Sequence, residues 1–332
     1  MKVSVIVRTC NRPEFLQEAL LSVELQTHKD WEIIVFDDGD NSENQEIINL
    51  FKLNNPNKRV VYYNEGSERF LFKESWLIAP KLSNGDLMIR LDDDDLLDTE
   101  CLEFVTKVFS ETPDLDFAYG TSAFFRNRTI ENIIDINTPH DFAKTTATWE
   151  GYLEGHPYNH PWRFKQDAFE EPRYISSLIH ASKLNYNCLW HPYIMRTESV
   201  LKVIDKIKIE SNFVDDLEFL GSLDNLGLSY NKLNKILLYC RRHENDHITE
   251  PGKVIDGKTL WDDILEVRDR VDFLRPSGTE FESTIIPIEI DGNDNTLTPE
   301  ELQTRFETLT NRIEDILNPN QNFVEKFDWR LF

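Results

Sequence analysis

The chain has 332 residues, of which 40% are apolar and 29% are charged, and it contains only 12 glycines. This composition indicates a globular protein with a hydrophobic core and excludes disordered, collagen-like and low-complexity chains. Thirty-six basic and 60 acidic residues give a formal net charge of −24. A surface this negative repels phosphate backbones and anionic lipid headgroups. The charge therefore disfavours binding to membranes and to nucleic acid, and it disfavours nucleic acid as a substrate.

The sequence also predicts a cytoplasmic protein. It contains no run of about 18 apolar residues that would span a bilayer, and the apolar stretch at its start is too short for a secretory signal. The four cysteines, at positions 10, 101, 188 and 240, are far apart and form no C-x-x-C pair. Neither a disulfide framework nor a zinc site is therefore indicated. Because the sequence has no run that would span a bilayer, any contact with a membrane is expected to be peripheral.

Over the first 120 residues, short β-branched runs alternate with amphipathic segments. We predict strands over 3–7, 33–36, 60–63 and 87–91. We also predict four helices: the first begins at Pro13, the second contains Ile47 and Phe51, and the other two run over about 73–81 and 99–109. This alternation is typical of βαβ units. The predicted fold class is therefore α/β, with a Rossmann-like, mostly parallel central sheet flanked by helices.

The remainder of the chain has a different character. Residues 127–190 look irregular and rich in aromatic residues, proline and histidine, which is typical of a functional insert. A capping box over 298–301 opens a predicted helix whose apolar positions are Leu302, Phe306, Leu309, Ile313 and Ile316. This stripe would dock onto the catalytic domain or pair with a second copy in a homo-oligomer. We divide the chain into a catalytic domain, 1–249, with a donor half (1–125) and an acceptor half (126–249), and an acidic, largely helical extension, 250–332.

Polar clusters follow three of the predicted strands, where ligands bind in open parallel sheets. They are 8–12 after the first strand, Asp37 and Asp38 after the second, and 92–95 after the fourth. No glycine-rich phosphate loop follows the first strand, which argues against dinucleotide-binding and P-loop proteins.

Four consecutive aspartates, 92–95, end the fourth strand. Adjacent carboxylates repel one another, and a divalent cation would hold them ionised together. Oxygen ligands favour Mg²⁺ or Mn²⁺, which complete their coordination with water and substrate phosphates. The structural alternative is that Asp95 or Asp98 caps the following helix while the other aspartates are solvated.

Several blocks in the same order resemble family 2 glycosyltransferases, which have the GT-A fold. The blocks are 3–13 (VSVIVRTCNRP), Ser22-Val23 with Gln26-Thr27, 31–39 (WEIIVFDDG), Gly85-Asp86 and 91–95 (LDDDD). The resemblance covers residues 1–125 well and 185–250 more loosely. It implies transfer of a sugar from a nucleotide diphosphate donor, with a UDP-sugar preferred, and inversion at the anomeric carbon.

The resemblance also implies roles for individual residues on the donor side. Arg8, Thr9, Asn11, Asp38 and Arg69 would bind the nucleotide-sugar, together with Asp92 and Asp93 at the ribose and at metal-bound waters. Asp94 would bind the metal, Mn²⁺ or Mg²⁺, with Asp92 and His243 as further ligands. Arg241 or Arg242 would neutralise charge on the leaving group.

An inverting transferase needs a carboxylate that takes the proton of the acceptor hydroxyl. By position in the family this base is Asp216, assisted by Asp215, at the start of a helix. Aspartates at a helix N-terminus also have a purely structural explanation, because the helix dipole favours them.

The acceptor half contains side chains that can stack on sugar faces, and the candidates are Trp162, Trp190 and His191. The structural alternative is that each of them only packs beneath a long loop. The acceptor would be a glycan, a lipid-linked saccharide or another hydroxyl compound. The alternatives left open are a retaining GT-A transferase, a nucleotidyltransferase, and a module that binds nucleotide-sugar or glycan without turnover.

Overall fold

In a computed structural model of the protein, the described residues are 1–40, 42–64, 71–133, 192–211, 215–241 and 297–318, with the short segments 254–255, 257–259 and 266. Every structural statement below concerns these residues.

Strands and helices alternate over the first third of the chain. They are β1 (Val3–Thr9), α1 (Pro13–Glu24), β2 (Trp31–Asp37), α2 (Ser42–Asn54), β3 (Val60–Tyr63), α3 (Leu71–Leu82), β4 (Leu87–Asp92), β5 (Leu96–Leu97) and α4 (Cys101–Glu111). The predicted strands and helices of this part of the chain are confirmed.

The later elements begin with a long strand. They are β6 (Phe117–Arg126), β7 (Thr129–Ile133), β8 (Tyr193–Arg196), α5 (Thr197–Val203), a short 3₁₀ turn (Ile204–Lys206), α6 (Asp215–Asn225), β9 (Tyr230–Arg241), β10 (Val254–Ile255), β11 (Lys258–Thr259) and α7 (Pro299–Leu317). Residues 129–133, which the sequence analysis included in an irregular insert, form β7 and pair with β6. This is a correction. Residues 134–191 lie outside the described part of the chain.

The main sheet has the strand order β3-β2-β1-β4-β8-β6-β9-β5, with β7 on β6. Strands β1 to β4 are mutually parallel, whereas β8 runs antiparallel to both β4 and β6. The chain order reverses at β1, which lies between β2 and β4. In open α/β sheets the crevice at such a reversal, beyond the carboxyl ends of the strands, is the usual ligand site.

Helices cover both faces of this sheet, and a hydrophobic cluster fills each side. One cluster includes Leu16 and Leu20 of α1, Ile48 of α2 and Leu102 of α4. The other includes Trp76 of α3, Val200 of α5 and Phe219 of α6. A strand that is buried on both faces has a continuous run of apolar residues in its sequence. This is why β1 and β2 could be predicted from their apolar runs.

Helix α7 packs against the chain's own sheet. Thr298 and Glu301 form the predicted capping box, with both reciprocal hydrogen bonds present. Phe306 is fully buried, with its ring 4.6 Å from that of Phe125 and 4.8 Å from that of Tyr239, measured between centroids. The apolar stripe is thus buried within the chain, so a homo-oligomer that forms while α7 stays docked must use another surface.

No helix among the described residues is both long and apolar enough to cross a membrane. Of the four cysteines, the three that lie in this part of the chain are free thiols. The division at residues 249 and 250 stays a prediction.

Candidate active site

The carboxyl ends of β1, β2 and β4 bring the three predicted polar clusters together. Arg8 is in register with Asp92, and Thr9 with Asp37. Beyond the strands, the backbone N–H of Asp38 donates to the carbonyl of Thr9 at 3.0 Å, and that of Asp93 to the carbonyl of Arg8 at 3.1 Å. The strand order therefore places Arg8, Thr9, Asp38, Asp92 and Asp93 at one crevice.

The loops that follow β1 and β2 touch each other through Asn11 and Gly39. Asn11 has a left-handed backbone, with φ 54°, and its Oδ1 accepts a hydrogen bond from the backbone N–H of Asp40 at 3.1 Å. A Cβ on Gly39 would lie 2.5 Å from Asn11 Oδ1 and 2.8 Å from its backbone nitrogen. Only glycine fits this position, and the contact fixes the loop beside the buried Asp38.

Asp37 and Asp38 have different roles. Asp37 is fully buried and accepts hydrogen bonds from the Gly39 N–H (2.9 Å), the Asn44 amide (3.1 Å) and the Tyr62 hydroxyl (2.6 Å). Burial, followed by the hydrogen bond to Asp37, raises the pKa of Tyr62. Asp37 thus holds the turn that positions Asp38, the residue predicted to contact the base.

The acidic run is partly neutralised by Arg12. Its guanidinium lies 2.7 Å from Asp93 Oδ1 and 2.6 Å from Asp94 Oδ2. Burial raises the pKa of Asp93 to about 7, Arg12 opposes this rise, and Asp94 adds to it. Burial also raises the pKa of Asp95 well above its ordinary value, as do the neighbouring aspartates.

Arg241 holds the acidic run from β9. Its backbone N–H donates to Asp95 Oδ1 at 3.0 Å and its Nε donates to the Asp94 carbonyl at 2.9 Å. The same guanidinium pairs with Glu18 and lies 4.8 Å from each of two rings, those of Phe15 and Phe125. Arg241, one of the two arginines predicted to neutralise the leaving group, therefore also supports the acidic run.

Asp98, which the site prediction did not include, connects the run to the C-terminal helix. It is fully buried and accepts hydrogen bonds from the Tyr239 hydroxyl (2.8 Å) and from Arg305 of α7. It also accepts from the backbone N–H of Glu100 at 3.0 Å, next to the start of α4. Glu100 is the residue before α4, and no side chain caps the first turn of this helix, so the structural alternative of a helix-capping aspartate does not hold for Asp98.

The predicted acidic pair lies at the start of α6 and faces the end of β1. Arg8 Nη1 is 2.8 Å from Asp215 Oδ2, while Arg8 Nε and Nη2 are each 3.3 Å from Asp92 Oδ1. Burial lowers the pKa of Arg8, but the carboxylates of Asp215 and Asp92 more than offset it, so that the pKa is raised. Arg8 therefore joins the acidic run to the acidic pair.

Asp216, the predicted base, has a different partner. Its Oδ2 accepts a hydrogen bond from the Tyr193 hydroxyl at 2.9 Å, and the residue is partly exposed. The buried Glu218 of α6 accepts hydrogen bonds from the backbone N–H groups of Glu210 (2.9 Å) and Ser211 (2.8 Å). These contacts fix the first turn of α6 against the sheet.

Sequence reasoning missed Arg90 and Trp76. Arg90, on β4, is only 2% exposed, and its guanidinium carbon lies 3.9 Å from the centroid of the Trp76 ring. Trp76 Nε1 donates to Asp215 Oδ2 at 2.6 Å. One signal was available, since Arg90 is a charge inside an otherwise apolar strand and such a charge is rarely buried without a reason.

Six predicted site residues lie outside the described part of the chain. They are Arg69, Trp162, Trp190, His191, Arg242 and His243.

The donor atoms at this crevice suit a hard cation shared with a substrate. Within the described residues, no three His, Cys, Asp or Glu side chains converge on a point that could hold an ion. Asp92 and Asp94 supply carboxylate oxygens at the end of β4. Mg²⁺ and similar ions take one or two carboxylates and fill the remaining positions with water and phosphate oxygens. The residues therefore fit a metal held jointly with a diphosphate, and not a closed protein cage.

Comparison with known families agrees with this geometry. The family model described as Glycosyl transferase family 2 matches residues 4–172, about half of the chain. Protein CgeD of Bacillus subtilis is 32% identical over 125 residues, covering 36% of this chain and 29% of that protein. An uncharacterized glycosyltransferase of Methanocaldococcus jannaschii is 27% identical over 197 residues, covering 58% of this chain and 66% of that protein. The chain thus matches under a third of the length of CgeD.

Solved structures show the fold. S. aureus TarS 1-349 in complex with UDP-GlcNAc matches with a TM-score of 0.53 at 17% identity, over 97% of this chain and 77% of that one. S. aureus TarS 1-349 matches with a TM-score of 0.52 at 16% identity, over 99% and 76%. The predicted GT-A fold is confirmed.

Proposed function

The chain belongs to glycosyl transferase family 2, and from this premise we propose that it transfers a sugar from a nucleoside diphosphate donor to a hydroxyl of an acceptor. The observation that supports this best is the joining of Asp92 and Asp215 by Arg8. It brings a carboxylate run suited to a diphosphate-bound cation next to an acidic pair suited to proton transfer. We propose a UDP-sugar as the donor, because the TarS structure of the same fold holds UDP-GlcNAc.

On the donor side, Asp38 contacts the base, with Thr9, Asn11 and Arg69 completing the nucleotide pocket. The burial of Asp38 and the fixed contact between Asn11 and Gly39 support this assignment. Asp92 and Asp93 bind the ribose and waters, and Arg8 contributes positive charge.

Asp94 and Asp92, with His243, would hold Mn²⁺ or Mg²⁺. Such an ion neutralises charge on the departing nucleoside diphosphate. The carboxylate oxygens of the acidic run at the end of β4 support this assignment.

On the acceptor side, Asp216 is the general base. Its carboxylate takes the proton of the acceptor hydroxyl while the acceptor oxygen bonds to the anomeric carbon and the bond from that carbon to the phosphate oxygen breaks. A single displacement inverts the anomeric configuration and needs no covalent intermediate. The Tyr193 hydroxyl, 2.9 Å from Asp216 Oδ2, orients this carboxylate. Asp215, held by Arg8 and Trp76, keeps the pair in place.

We place the acceptor against Trp162, Trp190 and His191 and propose a glycan, a lipid-linked saccharide or another hydroxyl compound. For a lipid-linked acceptor the protein would meet the membrane from the cytoplasm. Free cysteines support this location.

The testing experiment is calorimetric titration with UDP, GDP, CDP and the corresponding nucleotide sugars, with and without MnCl₂. Metal-dependent binding of one nucleotide sugar is expected. The tightest donor is then incubated with candidate acceptors, and the anomeric configuration of the product is read by NMR.

Each rival function has its own result. Retention of the anomeric configuration would indicate a retaining transferase and would exclude Asp216 as the general base. Release of pyrophosphate would indicate a nucleotidyltransferase. Binding without turnover on any acceptor would indicate a binding module. Absence of all binding by folded protein would contradict the proposal.

A further inference from the structure

Two arginines share the same two carboxylate oxygens. Arg8 Nη1 lies 2.8 Å and Arg90 Nη2 lies 3.5 Å from Asp215 Oδ2. Arg8 Nε lies 3.3 Å and Arg90 Nε lies 3.7 Å from Asp92 Oδ1. Asp92 and Asp215 are therefore held between two guanidinium groups, one from β1 and one from β4.

The two arginines differ in their access to the crevice. The Arg8 side chain is 12% exposed, whereas that of Arg90 is 2% exposed and is covered by the Trp76 ring. Within the part of the chain that the structure describes, Nε, Nη1 and Nη2 of Arg90 have no hydrogen-bond partner. A guanidinium cannot lose its proton, so Arg90 brings a permanent buried charge with unsatisfied donors.

Such an arrangement is unfavourable for folding alone. Burying a charge without hydrogen bonds costs free energy, and apolar residues of similar volume often replace a whole buried ion pair with no loss of stability. The contacts that compensate Arg90 are the ring of Trp76 and the two carboxylates at 3.5 and 3.7 Å. Its cost is explained if its charge acts on those carboxylates.

We propose that Arg90 is a positioning residue, a fixed buried cation that keeps Asp92 and Asp215 aligned when Arg8 turns from them toward the donor's diphosphate. This inference rests on the proposed function. The more exposed Arg8 carries the planar fork that pairs with phosphate oxygens. When Arg8 exchanges carboxylate for phosphate, Arg90 remains beneath both aspartates and prevents two uncompensated negative charges from repelling each other and the substrate.

Trp76 connects the two parts of this arrangement. It stacks on Phe219 of α6 at 4.6 Å between centroids, covers Arg90, and donates its indole N–H to Asp215. The acidic pair, the buried cation and helix α6 therefore share one support, which explains how a residue on β4 affects both donor and acceptor sides.

The test compares Arg90→Met, Arg90→Lys and a matched arginine elsewhere. Arg196 is the control, because it also lies over an aromatic ring, Phe109, and it caps backbone carbonyls away from the crevice. For each variant we measure the thermal midpoint and, by calorimetry, the dissociation constant of UDP with MnCl₂. We also measure kcat and KM for the nucleotide sugar that the calorimetric titration selects.

For Arg90→Met we expect a folded protein with a thermal midpoint below that of the wild type, since Asp92 and Asp215 lose one of the two guanidinium groups that face them. We expect UDP affinity to fall about tenfold, within the range of coupling between neighbouring charges, and kcat to fall with it. Arg90→Lys keeps the charge and should recover most of both losses. Arg196→Met should lower the midpoint and leave UDP affinity and kcat unchanged.

Other results would overturn the inference. UDP affinity and kcat within twofold of wild type in Arg90→Met would remove any positioning role. If Arg90→Lys did not restore the UDP affinity and kcat that Arg90→Met loses, Arg90 would be a structural residue. The same conclusion would follow if Arg90→Met and a further variant, Arg90→Gln, both failed to fold. If no nucleoside diphosphate binds the wild-type protein, the proposed function fails and this inference fails with it, whereas binding that is normal in Arg90→Met refutes the inference alone.

Discussion

Arg8 donates a hydrogen bond to Asp215 at 2.8 Å, although the two residues are 207 positions apart in the chain. The contact joins the end of the first strand to the start of α6. It places the predicted base and its neighbour beside the end of β4. Donor side and acceptor side are therefore linked by an ion pair, and changes on one side are expected to affect the other.

Asp94→Asn should abolish the metal-dependent part of donor binding, because Asp94 is the proposed metal ligand. The measurement is UDP calorimetry with and without MnCl₂. Asp205→Asn is the control, since the side chain of Asp205 is 88% exposed and pairs only with Lys81 among the contacts that the structure describes. An unchanged effect of manganese in Asp94→Asn would exclude the metal role.

Asp216→Asn should lower kcat by a factor of about 10² to 10⁴, the usual contribution of a general base. Its UDP affinity should stay within twofold of wild type, because the change acts on the acceptor hydroxyl. Steady-state kinetics and calorimetry on the same preparation measure both. Glu198→Gln, at an exposed side chain on α5, controls for loss of a surface carboxylate, and near-normal turnover in Asp216→Asn would rule this residue out as the base.

Gly39→Ala should weaken UDP binding about tenfold or more, since small displacements of a binding loop cost this much. The added Cβ would lie 2.5 Å from Asn11 Oδ1 and force the two loops apart. Gly227→Ala is the matched control, because its Cβ would meet nothing within 4 Å and its φ of 86° adds only backbone strain. That control should lose stability by about 1 kcal/mol and retain UDP affinity, and equal affinities in both variants would contradict the role of the contact.

Phe306→Ala should lower the free energy of unfolding by about 3–5 kcal/mol, the usual loss for a buried phenylalanine. Its ring is fully buried against Phe125 and Tyr239. Urea unfolding measures the change. Arg312→Ala, on the exposed face of the same helix, should stay within about 0.5 kcal/mol. If the two variants were equally stable, α7 would not be docked as described.

Asp93 should make stability depend on pH. Burial raises its pKa in the folded protein to about 7, whereas an unfolded aspartate titrates near pH 4. The folded state thus binds an extra proton between these values. The stabilising contribution of this group is complete below about pH 4 and is lost as the pH rises through 7.

The measurement is urea unfolding in EDTA at several values between pH 4 and 8. Asp93→Asn cannot titrate, so its free energy of unfolding should fall less than that of wild type over this interval. Parallel curves for the two proteins would show that Asp93 does not carry the dependence.

Local patterns determined much of the fold. The β-branched runs at β1 and β2 and the capping box before α7 follow from properties of a few consecutive residues. The position of Asp92 at a strand end follows from the same reasoning, because parallel strands separated by helices must end at one edge of the sheet. Residue types and alternation therefore predicted the α/β class and the edge that carries the acidic residues.

Side-chain partners between distant elements were beyond such reasoning. Strand β8 enters the sheet between β4 and β6, out of chain order, and this insertion places Tyr193 within reach of Asp216. The sequence predicts only that Arg241 is a cation near the substrate. In the structure its guanidinium lies near two aromatic rings and supports the acidic run. No local pattern specifies these pairs.

The sequence by itself determined the fold class, the family resemblance and the carboxylates that crowd the crevice, because these depend on residue types and short-range periodicity. Only the tertiary structure decided which cation faces which carboxylate. The sequence does not specify the partners of Arg8, Arg12 and Arg90, which differ because strand order and burial bring Arg8 and Arg90 to Asp215 and Arg12 to Asp93. The interaction of two charges depends on their distance and on the surrounding dielectric, and both are properties of the folded chain.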